Sequence, residues 1–276
     1  MRRTAIMVAA VALLAVGCDS DSKKAAISPI DAVTVTAPEQ TAAAETAKTT
    51  FTISGLGPGS GADVSADGAF NLTEGRGVIT TDLPAVAGIQ LGEVEAVLDG
   101  GALYLKVPDL LADQVGKKWV KLDVGEVSDK LAGIDISGLA RAGTGNPTYA
   151  LDNLRGATNV SVVGEERVRG DKTTHYRATI DTNKAVDAAP ADERDALRKA
   201  NDFLGNQRIP ADIWLDTEGR LRKLQYTVDP AKSGAPGSDD AGKPTFTYEL
   251  YEFGTPVNAD VPSDDDTANL ADVLPG

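Results

Sequence analysis

Among 276 residues there is one cysteine, Cys18, and one histidine, His175. A disulfide framework and a thiolate metal site are therefore excluded within one chain, and a histidine-rich metal site is too. Positive charge is also scarce: 27 Lys+Arg stand against 41 Asp+Glu, a net charge of −14. No Lys/Arg cluster offsets this, so the surface repels phosphate backbones, and nucleic acid is not an expected partner. Aromatic residues make up only 5 %. The apolar run Ala5–Val16 falls short of the roughly 20 residues that a membrane-crossing helix needs. No Gly-x-Ser-x-Gly elbow accompanies His175, and no P-loop or dinucleotide fingerprint follows a strand. The residues point to no catalysis, no cofactor and no metal.

The lone thiol sits in "ALLAVGCDSDS", residues 12–22, between an apolar run and a polar one. Its candidate roles are a buried core thiol, a reactive or metal-binding thiolate, and a processing site. The flanks favour processing. Met1-Arg2-Arg3 is a short basic start, the apolar run follows, and small residues precede Cys18, which is the layout of a secretory signal. Ala15-Val16-Gly17-Cys18 resembles a bacterial lipobox, with Ala15 where Leu is commonest. That resemblance implies cleavage before Cys18 and a diacylglyceryl thioether on its sulfur, with palmitate-type chains holding the protein to the plasma membrane. An ordinary cleaved signal peptide and a structural thiol stand as alternatives. Loss of residues 1–17 removes two arginines and takes the charge to −16.

From Cys18 to about residue 38 the chain is Asp, Ser, Lys, Ala and Thr with two prolines, a flexible tether that spans about 25 Å at ~5–6 Å times the square root of its length. Thr36-Ala-Pro-Glu39 reads as a capping box opening an Ala-rich helix to about Lys48. Period-two alternation then dominates: "TTFTISG" (49–55), "ADGAFNL" (66–72), "GVITTDL" (77–83), the hairpin "EVEAVLDGGALYLKV" (93–107) turning at Asp99-Gly100, and "KKWVKLD" (117–123). Two more hairpins cover 159–180 and 211–228, and "TFTYELYEF" (245–253) closes the series. Helical periodicity is confined to about 126–140, to 147–157 and to 191–206, the last with Leu197, Ala200 and Leu204 as its stripe. Residues 230–243 read as a long mobile loop, and the acidic tail 263–276 as partly disordered. The expectation is one α+β domain on a large antiparallel sheet.

Several stretches, in order, resemble the LppX/LprA/LprF/LprG family of actinobacterial lipoproteins. After the lipobox come "LDGGALYLKV", "KKWVKLD", "VVGEERVRGDKTTHYRATID", "RIPADIWLDTEGRLRK" and "FTYELYEFGTPVNADVP". The family is similar in fold to the LolA/LolB lipoprotein carriers. The resemblance implies a strongly bent antiparallel sheet, an incomplete β-barrel, covered by helices and enclosing an apolar cavity over residues 39–262. It also implies carriage of a lipid or glycolipid at the outer face of the cell membrane, by a monomer that a membrane transporter could partner.

Small aliphatic residues suit such a cavity. Burying one sixteen-carbon chain yields roughly 10 kcal/mol at ~0.8 kcal/mol per CH₂, before the costs of association. Candidate lining positions are Phe51, Ile53, Phe70, Leu72, Ile79, Leu83, Val94, Ala96, Leu98, Leu103, Leu105, Ile213 and Leu215, with Trp214 open as the inward residue of its pair. The same alternation equally suits a core filled by its own side chains. The competing function is thus a structural or regulatory surface lipoprotein that binds a protein partner and has no ligand cavity, and behind it an enzyme accessory subunit.

Three motifs carry other suggestions. "DVSADGAFNLTE" (63–74) follows calcium-loop spacing, yet its glycine-rich flanks supply no helices, so a hairpin strand is expected. Arg169-Gly170-Asp171 falls where a tight turn needs Gly-Asp for backbone reasons. His175 alternates with Tyr176 on a strand and is expected to be half-exposed.

Overall fold

The computed structural model describes residues 27–55, 63–83, 92–99, 102–123, 145–191, 194–203, 207–233 and 242–270. The signal segment with Cys18, the helix expected around 126–140, the Gly100 turn and most of the 230–243 loop lie outside them. Of that loop, Pro230–Ser233 forms a 3-10 turn.

Helix α1 (29–42) comprises Pro29–Asp31, a wider π turn at Ala32–Thr36, and Ala37–Ala42. It starts about two turns before the expected capping box, inside the stretch read as tether, and ends short of Lys48. Ser28 is the cap: its hydroxyl accepts from Asp31 N–H at 3.2 Å, with Pro29 at the first helical position. Thr36 is helical and caps nothing. Pro38 lacks an N–H and its ring crowds the preceding turn, and just there Ala37 N–H reaches back five residues to the Ala32 carbonyl. Val33, Ala37 and Thr41 form the buried stripe. The Thr41 hydroxyl donates to the Ala37 carbonyl and accepts from Leu221 N–H at 2.8 Å.

Twelve strands follow: β1 Thr46–Ser54, β2 Val64–Asn71, β3 Arg76–Leu83, β4 Gly92–Asp99, β5 Ala102–Lys106, β6 Trp119–Asp123, β7 Ala157–Val168, β8 Asp171–Asp181, β9 Arg208–Asp216, β10 Leu221–Thr227, β11 Thr245–Tyr251 and β12 Thr267–Asn269. They form one sheet in the order β12-β6-β5-β4-β3-β2-β1-β11-β10-β9-β8-β7. All pairs are antiparallel except β12 with β6. The fold is a large, curled, open sheet with few helices, the form of an incomplete barrel. Register shifts at 158/161 and 162/164 in β7–β8 and at 221/223 in β9–β10 add local twist.

Strand β12 gives part of the tail, read as partly disordered, a place in the sheet. Lys118 N–H bonds the Asp266 carbonyl, the Lys118 ammonium sits 3.1 Å from the Asp266 carboxylate, and Lys117 reaches the Asp265 carbonyl. The acidic run thus finds cations distant in sequence.

Among the described residues there are four further helices: α2 Asp109–Val115, α3 Pro147–Leu154, α4 Thr182–Ala188 and α5 Arg194–Phe203. Helix α3, capped by Asn146, is buried at seven of its eight positions. It sits between α1 and α4 over the β8 end of the sheet, and α4 carries α5. Asn201 of α5 is fully buried, donating to the Thr182 carbonyl and accepting from the Tyr149 hydroxyl. Leu197 and Asn201 are buried on α5, while Ala200 and Leu204 of the expected stripe lie outside the described side chains.

Gly156 marks the tightest approach to another backbone segment among the described glycines. A Cβ there would lie 2.5 Å from both Ala185 N and the Asp181 carbonyl, which are backbone atoms that cannot step aside. Gly156→Ala is therefore expected to destabilise the protein by at least about 3 kcal/mol, the upper range for overpacking. The urea unfolding midpoint reads this directly.

On the outer face, β7, β8 and β9 are held by one polar network. Trp214 donates its indole N–H to Glu166 at 2.7 Å, and the His175 ring stacks on Trp214 at 4.3 Å. The His175 nitrogens lie 2.9 Å from Glu166 and 2.8 Å from Asp212. The Trp214 bond, with His175 second, holds the Glu166 carboxyl below its ordinary pKa. His175 is accordingly buried rather than half-exposed. Arg169 and Gly170, with φ of 49° and 91°, turn the β7–β8 hairpin. The Arg169 guanidinium is engaged by Glu249, by the Thr50 hydroxyl and by the Tyr251 ring.

Candidate functional site

Strand register divides the side chains of β1–β6 cleanly. Phe51 is opposite Tyr248 and Ala66, Ile53 opposite Phe246 and Val64, and Phe70 opposite Ala47 and Gly77. Ile79 pairs with Gly68 and Ala96, Val94 with Thr81, and Leu98 with Gly77 and Leu103. Leu105 lies between Ala96 and Val120, and Leu122 beside Leu103. Directly paired residues share a face, so all of these belong to one inner surface. The backbone register also puts Leu83, opposite Gly92, in the same row.

No inner position of β1–β6 carries a charge. Thr49 and Thr81 are its only side-chain polar groups, and the Thr81 hydroxyl is spent on the Ser65 carbonyl at 2.8 Å. Charges occupy the other face, where Lys106 pairs with Glu95 at 3.0 Å and Arg76 with Asp99 at 2.7 Å. The 63–74 stretch is β2 and its turn. Asp67 accepts from Thr50 on the outer face, and Asn71 accepts from the Thr73 and Glu74 N–H groups. An extended strand advancing about 3.3 Å per residue does not wrap a cation.

The candidate lining residues fall into two settings. Phe51, Phe70, Leu72, Leu98, Ile213 and Leu215 belong to the helix-covered core together with Val33, Leu151, Leu154 and Ile180. The Phe70 ring fills the space left by Gly68 and Gly77, where an added Cβ would come within 3.1 and 2.3 Å of it. Ile53, Ile79 and Leu103 are only partly buried against this core. Leu105 is half-buried, and Val94 and Ala96 are buried outside the cluster. The apolar surface therefore continues past the described helices onto β3–β6. Trp214 is the outward residue of its pair, since Ile213 pairs with Leu224 and Tyr176 on the inner side.

The search for alternating strands passed over inner residues that the register reveals. Val120 and Leu122 extend the face onto β6, and the alternation of "KKWVKLD" carried that signal. Tyr226, Phe246 and Tyr248 form an aromatic group with Phe51, at 5.4 Å between the Tyr226 and Phe246 rings and 4.7 Å between Phe51 and Tyr248. Burial pushes the Tyr226 and Tyr248 hydroxyls above the ordinary phenol range, so both stay neutral. Inner β1–β6 thus offers dispersion contacts without ions or nucleophiles, a surface chemically suited to hydrocarbon.

Comparison with known proteins was made on sequence and on fold. No family model matches the chain. A Streptomyces coelicolor protein named "Putative lipoprotein" is 25 % identical over 174 residues, 63 % of this chain. The chain spans about half the length of that relative, 50 %. Among solved structures, the lipoprotein LppX of Mycobacterium tuberculosis matches 84 % of this chain and 98 % of its own at 18 % identity, with a TM-score of 0.46. LprF of Mycobacterium bovis matches 86 % of this chain and 98 % of its own at 15 % identity, with a TM-score of 0.47. LppX and LprF are two of the names in the family that the motifs resemble.

Proposed function

We propose that the chain is a membrane-anchored lipoprotein that binds and carries a lipid or glycolipid on the inner face of β1–β6, without catalysis. The observation that carries this reading is the uncharged apolar surface that runs on from the helix-covered core to β6. The similarity to proteins named as lipoproteins supports it. In this reading Cys18 bears the acyl anchor at the outer face of the cell membrane. The 39–262 unit takes acyl chains from the bilayer, shields them from water and passes them on, and a membrane transporter is a fitting partner.

The test is to express the form lacking residues 1–18 in a lipid-containing host, purify it and examine it by native mass spectrometry and organic extraction. Stoichiometric bound lipid is expected. A lipid-free protein that also fails to take up a fluorescent acyl probe would sink the carrier, leaving a sheet filled by its own side chains and a role in binding a protein partner.

A further inference from the structure

Most of the exposed large apolar side chains among the described residues lie on α1, just before it, or on β7. Among the described residues, Ile27 is 62 % exposed, Ile30 44 %, Val35 45 %, Val162 54 % and Val163 48 %. The first three belong to α1 or the residue pair before it, and the last two to β7. The beginning of α1 lies against β7, so these side chains gather at one border of the sheet. Val261, 40 % exposed, is the sixth of the kind and lies in the closing segment. Scattered single apolar residues are ordinary on a protein surface, whereas a gathered group marks a contact.

Strand β7 is the terminal strand of the sheet order, with no partner strand beyond it among the described residues. Val162 and Val163 are both exposed, and the register shift between Val162 and Gly164 falls at this pair, where a bulge turns neighbouring side chains outward. Edge strands are ordinarily guarded by charge. Here residues 157–164 carry none, and neither do residues 25–30. In a chain of net charge −14, such a window is where an anionic lipid surface can approach without repulsion. Lys23 and Lys24, immediately before the window, offset Asp19 and Asp21, so the stretch from Cys18 to the window carries no net side-chain charge.

The start of α1 tightens the geometry. Because the helix begins at Pro29, only nine peptide steps separate Cys18 from Ile27. Fully extended, they reach about 30 Å at ~3.3–3.6 Å per residue. We propose that the α1–β7 border is the face that this protein lays against the bilayer, its valines and isoleucines entering the headgroup boundary beside the acylated Cys18. This rests on the lipoprotein reading above and adds the orientation of the molecule. Shallow insertion of a few apolar side chains supplements the acyl anchor, and the open backbone groups of β7 stay at the hydrated headgroup level.

The full-length chain allows a direct test, because acylation of Cys18 leaves no free thiol. Val162→Cys or Ile30→Cys then supplies a single site for an environment-sensitive nitrobenzoxadiazole label. Lys121→Cys on β6 serves as the control. The proteins are reconstituted in vesicles of phosphatidylethanolamine and phosphatidylglycerol with doxyl-labelled lipid as quencher, and the N-terminal peptide is weighed to establish acylation. Several-fold stronger quenching at 30 and 162 than at 121 is expected, and Val163→Glu in the Val162→Cys chain should abolish it while Cys18 stays acylated. Equal background quenching at all three sites with Cys18 acylated overturns the proposal and leaves the lipoprotein reading intact. A label shielded from water but not quenched by lipid also overturns it, since a protein or second copy then covers the edge. An unacylated Cys18 overturns the anchor itself, and the proposed orientation with it.

Discussion

Leu103→Trp and Ile79→Trp are each expected to remove most of the lipid that co-purifies with the protein, while the domain stays folded. Both residues sit on the uncharged inner face, opposite Leu98 and Ala96 respectively. Both are only partly buried, so an indole can enter the space above them without displacing backbone. That space is the one an acyl chain would occupy, and each methylene excluded forfeits about 0.8 kcal/mol. Losing four methylenes would weaken binding by ~3 kcal/mol, on the order of a hundredfold. Overfilling a partly open site costs about 1–3 kcal/mol, within the 5–15 kcal/mol typical of a folded domain. Tyr104→Trp is the control, because Tyr104 pairs with Val97 on the outer face. Lipid recovered per mole of folded protein is the readout. Unchanged loading in both inner variants refutes the assignment of this face.

Cys18→Ala is expected to shift the protein almost completely from the membrane fraction to the soluble one. Diacylglyceryl attachment supplies two chains, and two hold stably where one is marginal, at ~0.8 kcal/mol per buried CH₂. The apolar α1–β7 border is too small to retain the protein alone. Fractionation followed by immunoblotting decides the matter, and a variant that stays with the membrane shows that something other than Cys18 holds it there.

Much of the sheet was legible because a strand writes its faces into the chain at period two. Phe51 with Ile53, Val94 with Ala96 and Leu98, and Leu103 with Leu105 are local patterns, and the register keeps every one of them on a single surface. The open choice at 213–215 needed more. Ile213 and Trp214 are both bulky, and only the indole bond to Glu166 and the stack on His175, contributed by other strands, put Trp214 outside. The two settings of the lining residues were equally hidden. Ile213 and Ile79 look alike in sequence, yet one is fully buried beneath helices and the other lies at the border of the cover.

Helix boundaries followed the same division. Asn146-Pro147 announced α3 correctly, because a cap and a first-turn proline act within a few residues. Ser28-Pro29 carries the same signal but was read as tether, since Thr36-Ala-Pro-Glu39 offered a competing start. Burial of Val33 and Ala37 and the bond from Leu221 to Thr41 settled the matter in favour of the longer helix. Helix α4 was missed because its partners, Gly156 and Asn201, come from elsewhere in the chain.

Composition and short-range pattern were enough to establish an acidic chain with a single cysteine and a single histidine, a lone thiol in a lipobox-like setting, and a series of strands with one apolar face each. Those properties depend on residues a few positions apart. Tertiary structure decided the strand order that joins β1 to β11, the parallel pairing of β12 with β6, which half of the apolar face the helices cover, and which border is left bare. Each of these depends on contacts between residues far apart in sequence, where loop closure and the competition for burial, rather than local preference, set the outcome.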